Sequence, residues 1–415
     1  MSSLPAALAA SLLAGALLVG DDRGAPAAGG QEGGEGTPAA LDGFEPYPRS
    51  GDAGRRVAIE RGLRWLAMRH GSRDGSVEVG DAETANRAPL AVTSLAALAW
   101  MAGGSSPTRG PYQENVTRAI EYLLASLHRS SDKYPGYIED REDPISRTHG
   151  HGFATLALAH AYTMSPRSPL GKRIGEALVA AVARIEGSQG DEGGWNYEPY
   201  RSLQHEGSVT VALVQALRAA KDAGVRVDPD VVARAVQYVE RLQVMDRAAD
   251  PADAQATAGG KKLQLGGFRY KLNDPSTSVA LTAAGLATMQ AAGVYDGPRI
   301  EEGYDYVWRQ LVARADEPEG NESDFPYYER FYLSQALWNH RESHHYRRWA
   351  EPLMEELVAL QESNGRWEDV RRAGGHHPHR VRLLLVRRRR HTTASCPEST
   401  NVQPSPIHLL YHLQV

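Results

Sequence analysis

Residues 185–217 read IEGSQGDEGGWNYEPYRSLQHEGSVTVALVQAL: one helix end, a glycine-rich turn with an aromatic, a polar loop, and the start of a second, apolar helix. Within this stretch Gln189, Gly193 and Trp195 make the pattern Gln-x-x-x-Gly-x-Trp, and the same spacing returns at Gln361, Gly365 and Trp367. Weaker copies lie between. Self-similarity of this kind marks a repeat architecture, in which each unit buries its apolar face only against its neighbours.

Working outward, helix pairs fill the chain from Arg55 to Trp367. Val57–Arg69 leads through Asp74-Gly75-Ser76-Val77 to Ala91–Met101, and Val116–Leu127 leads through Pro135-Gly136-Tyr137 to a helix opening at His149. Val232–Gln243 precedes Gly266-Gly267-Phe268 and Ser278–Ala291, and Ile300–Ala313 precedes Phe331–Trp338. Trp349–Gln361 begins a sixth unit. The turn glycines are read as Gly75, Gly136, Gly194 and Gly267, at roughly sixty-residue intervals. The second helix of each pair is nearly uncharged, which predicts burial on all sides, whereas the first carries Arg and Glu regularly. The expected fold is all-α: an (α/α)6 toroid, an outer ring of helices around an inner one.

After Trp367 the pattern stops. A sixth inner helix is due, but residues 371–400 read RRAGGHHPHRVRLLLVRRRRHTTASCPEST, without amphipathic period. Residues 368–415 are read as an aberrant basic tail, consistent with a shifted reading frame; an intact frame at the 3′ end of the gene refutes that. At the other end, the apolar run Leu4–Val19 is short for a membrane span and fits a signal peptide over residues 1–27, with small residues at Ala25–Ala28 for cleavage. No Lys or Arg precedes the run. The expectation is export, periplasmic or extracellular, with no stable transmembrane segment after processing. Residues 28–54, rich in Gly, Pro, Ala and Glu, read as a disordered linker.

The net charge of the 415 residues is −5, but from Arg371 onward there are eight Arg against a single acid, Glu398. The acidic remainder disfavours nucleic acid as a partner. Hydrophobic content of 41% supplies a large core. The one cysteine, Cys396, lies in the tail, which excludes a disulfide framework and a cysteine zinc site.

The Gln-x-x-x-Gly-x-Trp turns, the hairpin period and the phrase GHGFATLALAHAY at 150–162 resemble the prenyltransferase and squalene oxidase repeat family, over roughly Arg55 to Trp367. The likeness is greatest to secreted bacterial members of no known activity. It implies that Gln189 and Gln361 cap helices, with Trp195 and Trp367 stacked against them. It also implies chemistry to be checked residue by residue. Class II terpenoid cyclases of this kind use an Asp-x-Asp-Asp acid, and the sequence has none. Protein prenyltransferase β subunits hold zinc through Asp, Cys and His, and the repeats have no Cys. Diphosphate recognition calls for clustered cations, such as the pair Lys261-Lys262.

In such a toroid the segments entering the inner helices surround one mouth of the central cavity, with helix N-termini aimed at it. His149, His151, His205, Glu206, Ser208, Ser276, Tyr327, Tyr328, Glu329 and Tyr332 fall there. Glu206 and Glu329 suit a general acid/base pair, although each carboxylate is equally at home at a helix start. His149 and His151, two apart, suit either a metal site with Glu206 or a hydrogen-bonded turn; the second is preferred, and neither metal nor cofactor is expected. Tyr327, Tyr328 and Tyr332 form an aromatic wall or core. Ser208 reads as a helix cap more readily than as a nucleophile. Three functions stay open: an exported non-catalytic toroid binding a lipid, glycan or protein; a cyclase-like enzyme on a polyprenyl or triterpene substrate; and a glycan hydrolase or lyase using Glu206 and Glu329. The first is preferred, since fold does not fix function.

Overall fold

The computed structural model describes residues 49–71, 73–77, 88–141, 143, 145–245, 264–274, 276–316, 323 and 325–367. The leader, most of the linker, Lys261-Lys262 and the tail with its sixth inner position lie outside the described residues. Eleven helices are described. The outer ones are α1 (Arg49–Met68), α3 (Gln113–Ala125), α5 (Pro169–Ser188), α7 (Pro229–Leu242), α9 (Pro298–Asp316) and α11 (His344–Ala359). The inner ones are α2 (Pro89–Ala102), α4 (Arg147–Met164), α6 (Gly207–Asp222), α8 (Val279–Ala291) and α10 (Pro326–Asn339). The first helix starts at Arg49, ahead of the Arg55 expected from the apolar pattern. A two-residue ladder, β1 (Phe268–Arg269) with β2 (Thr277–Ser278), is antiparallel.

Sequence explains the two layers. Outer helix α7 buries Val231, Ala235, Tyr238, Val239 and Leu242, a single stripe at helical spacing. Inner helix α8 buries nearly every residue from Val279 to Gln290. Starts are set by Pro in the first turn of α2, α5, α7 and α10, which needs no N–H there. Ser168, Asp228, Ser278 and Ser343 add side-chain caps, for example Ser168 Oγ accepting from Gly171 N at 2.9 Å. Each inner helix packs on the next, α2 on α4, α4 on α6, α6 on α8 and α8 on α10, and each is backed by the outer helix that follows it.

The turns carry the repeat. Gly193 has φ +92°, and a Cβ there would lie well inside contact distance of the Arg234 carbonyl on the next outer helix. Gly75, Gly136 and Gly266 meet Arg118, Ala180 and Glu302 in the same way. The left-handed glycines of the third and fourth repeats are therefore Gly193 and Gly266, one before the Gly194 and Gly267 read from sequence. Gln189 Nε2 donates to the Gly193 carbonyl at 2.9 Å and to the Val231 carbonyl of α7 at 2.8 Å. Trp195 Nε1 donates to Ile185 O at 2.8 Å, ending α5. Gln361 and Trp367 repeat both contacts, on Gly365 and Ala58 and on Leu357. Gln243 is a third copy, bonded to Gly266 and Arg299. It escapes sequence reading because an insertion separates it from its glycine.

Gly365 abuts the Arg61 carbonyl on α1. The sixth turn thus grips the first outer helix as each of the first four turns grips its successor, and α11 packs on α1. The outer ring closes.

Candidate site at the mouth of the toroid

Glu206 precedes the first turn of α6 and is 6% exposed, and it makes no side-chain cap to its own helix. Its Oε2 accepts from the Tyr270 hydroxyl, and its Oε1 lies 3.0 Å from Lys271 Nζ. The Tyr270 hydroxyl is 2.5 Å from that of Tyr197. The local chain dictates this. The β1–β2 ladder makes 270–276 a hairpin loop, and Gly207 N donates to Tyr270 O at 2.8 Å, tying the loop to the start of α6. Glu206 N donates to Trp195 O at 2.8 Å, so the repeat turn holds the carboxylate's own backbone.

His149 enters from the first turn of α4, its ring 5.4 Å from that of Tyr197. Burial pushes its pKa down to about 4 against the pull of Glu206, so the imidazole is neutral near pH 7. Ser208 sits beside both His149 and Tyr197. Arg147 lies over the Tyr197 ring, 5.5 Å away, and pairs with Glu198. From α10, the rings of Tyr328 and Tyr332 meet at a tilt of 58° with centroids 4.6 Å apart, and Tyr328 lies within electrostatic reach of Tyr197 and Tyr270. The hydroxyls of Tyr328 and Tyr332 are both buried, and each has only the other for a partner. Burial raises the pKa of Tyr197, Tyr270, Tyr328 and Tyr332, so all four are neutral hydroxyls near pH 7.

The structure brings His149, Glu206, Ser208, Tyr328 and Tyr332 into this group. Glu329 is tied instead to Arg314 of α9 by two bonds, of 2.6 and 3.1 Å, and shares no partner with Glu206. His151 is part of the repeat. Its Nδ1 accepts from Ile138 N at 3.1 Å, in the position where Thr93, Thr210 and Thr282 accept from Val77, Trp195 and Phe268. That bond fixes Nδ1 as the unprotonated nitrogen, and burial lowers the pKa to about 3. His205 lies under the third turn, edge-on to Tyr238, with Nε2 2.8 Å from Ser202 O. Ser276 bonds Asp274, and Tyr327 is buried in the core. Among the described residues, no three His, Cys, Asp or Glu side chains are set to hold a metal ion.

Sequence reading misses Tyr197, Tyr270 and Lys271. A signal was present: Tyr197 and Tyr270 each stand four residues after the left-handed glycine of their repeat. Deeper in the ring, Phe153 of α4 meets Phe331 of α10 edge to face at 6.5 Å, and Gln215 of α6 bonds Gln335 of α10 at 2.9 Å. Side chains from non-adjacent inner helices thus cross the lumen. The mouth can present a carboxylate, phenolic donors and ring faces to a ligand.

No family model and no curated protein matches the chain. Among solved structures it is similar to a cellobiose 2-epimerase from Bacillus thermoamylovorans, with TM-score 0.49, 9% identity, and 82% of this chain and 88% of that one covered. It is also similar to the type II terpene cyclase MstE from Scytonema in complex with its substrate geranylgeranyl dihydroxybenzoate, with TM-score 0.34, 14% identity, and coverage of 87% and 70%.

Proposed function

We propose that the mouth of this toroid binds a polyhydroxylated ligand of the glycan class, without turning it over. The observation that carries this is the pair of buried hydroxyls on Tyr328 and Tyr332, partnered only by each other, beside the Glu206–Tyr270–Tyr197 chain. A hydroxyl pair bonded only to itself keeps donor and acceptor capacity that a ligand hydroxyl can use and a hydrocarbon cannot. Aromatic faces with a few fixed polar groups suit a sugar ring.

A non-catalytic role rests on how the carboxylates are used. Both Glu206 oxygens are engaged, by Tyr270 and Lys271, and Glu329 is held by Arg314. Hydrolysis by two free carboxylates has no second member here. Against a polyprenyl or triterpene ligand stand the aromatic pair across the lumen and the missing Asp-x-Asp-Asp. The reading includes export through residues 1–27, which N-terminal sequencing of the mature protein checks.

Titration calorimetry with neutral oligosaccharides, and in parallel with squalene in detergent, tests the proposal. Saccharide binding that weakens in Glu206→Gln and Tyr332→Phe, without release of reducing ends, supports it. Squalene binding with no saccharide binding overturns it, and sugar release abolished by Glu206→Gln turns the protein into an enzyme.

A further inference from the structure

Beside the mouth, Tyr134 and Tyr200 come together from two different repeats, their rings 5.9 Å apart. Tyr200 is 47% exposed, and Leu203 on the same loop is 87% exposed. Exposed apolar side chains gathered on one loop call for a reason. The pairing is built from beneath by Arg184 of α5. Its Nε donates to Pro135 O at 3.0 Å, its Nη1 to Pro199 O at 3.4 Å, and its guanidinium lies 5.9 Å from the Tyr134 ring. One side chain therefore fixes the residue after Tyr134 and the residue before Tyr200. Lys133 also lies over the Tyr134 ring, its Nζ 5.0 Å from the centroid.

The loop that carries Tyr200 begins in the site. Tyr197, bonded to Tyr270, is three residues upstream, so the platform lies at most about 11 Å along the chain from the mouth cluster. A tyrosine pair with one half-exposed ring, held by a rigid cation and continuous along the chain with the hydroxyl-rich mouth cluster, is suited to stacking against sugar rings.

We propose that Tyr134 and Tyr200 form an outer stacking subsite, and that the ligand is an oligosaccharide running from Glu206 at the mouth over Tyr197 onto this pair. The inference rests on the glycan reading above and deepens it: the recognised unit is a chain, and its outer end is held by ring stacking, not by hydrogen bonds.

The test is affinity against chain length, with malto-, cello-, manno- and N-acetylchito-oligosaccharides from disaccharide to hexasaccharide. In the wild type, affinity for the series that binds rises with length. Tyr200→Ala lowers affinity for the long members about fivefold to tenfold and leaves the disaccharide unchanged. Tyr200→Trp keeps or raises the gain, because stacking needs the ring and not the hydroxyl. A disaccharide that binds as tightly as the hexasaccharide, or a Tyr200→Ala variant with the full length dependence, overturns the subsite while the glycan reading stands. Binding of no saccharide by the wild type overturns both. Tyr200→Ala is an exposed truncation, so a fold-neutral thermal midpoint accompanies the binding series as its control.

Discussion

At Gly193, Gly266 and Gly365 the chain makes one contact three times: a left-handed glycine against a carbonyl of the next outer helix, locked by Gln189, Gln243 or Gln361. Around Glu206 little is repeated beyond the matching places of Tyr197 and Tyr270 after their turn glycines. That cluster draws Tyr197, Tyr270 and Lys271 from two loops, His149 from α4 and the Tyr328–Tyr332 pair from α10. The turn layer spends its side-chain bonds on backbone carbonyls, while the mouth holds two hydroxyls partnered only by each other. A repeated scaffold spends its regularity on closure and its exceptions on recognition.

The sharpest way to break this contrast is at the glycines. Gly193→Ala combines backbone strain of about 1–3 kcal/mol with overpacking of about 1–3 kcal/mol, so a loss near 4 kcal/mol is expected by denaturant titration. Gly365→Ala should lose about the same if the two turns are equivalent; a small effect at one of them separates the repeats. Arg314→Leu leaves Glu329, 5% exposed, without its partner, and should cost about 3 kcal/mol or more. Ligand affinity in that variant should stay within about twofold of wild type, since Glu329 stands apart from the Glu206 group; a larger drop joins them.

Tyr332→Phe should separate stability from binding. Its hydroxyl has only that of Tyr328 for a partner, so its removal is expected to change stability by no more than about 1 kcal/mol while lowering ligand affinity. Equal losses of both would place Tyr332 with the scaffold. The smallest effect concerns His151. Its pKa is lowered to about 3, and those of His149 and His160 to about 4, all by burial, so the unfolded chain binds more protons below pH 6.5. Stability from these groups is therefore complete above pH 6.5 and declines as pH falls toward 4. His151→Thr, which installs the residue used in three other repeats, should cost less than about 1 kcal/mol at pH 7 and make the acid decline shallower. Thermal scans across this pH range read both effects.

What was legible in the sequence follows the same divide. Helix pairs, the layers and the Gln/Gly/Trp turns repeat, so each copy corroborates the others. Gln243 was hidden by the residues inserted before Gly266, and in the first turn His70 takes the glutamine's part, its Nε2 donating to Gly75 O at 2.7 Å. His149 and His151 look alike in sequence, two apart at a helix start, yet one faces Tyr197 and the other pins a turn. Only aligning His151 with Thr93, Thr210 and Thr282 tells them apart. Lys271 follows no repeat, because its place depends on a hairpin loop that the helical period does not encode. Glu329 was paired with Glu206 by topology alone; the nearest cation, Arg314, sits fifteen residues upstream on a different helix and decided otherwise.

The grip of Gly365 on Arg61 has a consequence for how the molecule comes apart. Arg61 Nη2 donates to Glu362 O at 2.5 Å, and Gln361 reaches Ala58 O at 2.7 Å, joining positions some 300 residues apart in the chain. An open solenoid frays from its ends, because its terminal repeats have one neighbour each. Here the described outer ring has no terminal repeat, so loss of any one turn removes support from two neighbours and unfolding spreads in both directions at once. Joining ends so distant in sequence is slow, and the last bonds to form in folding are those of the last turn. Synthesis must therefore reach Trp367 before the first helix has a permanent partner on both sides.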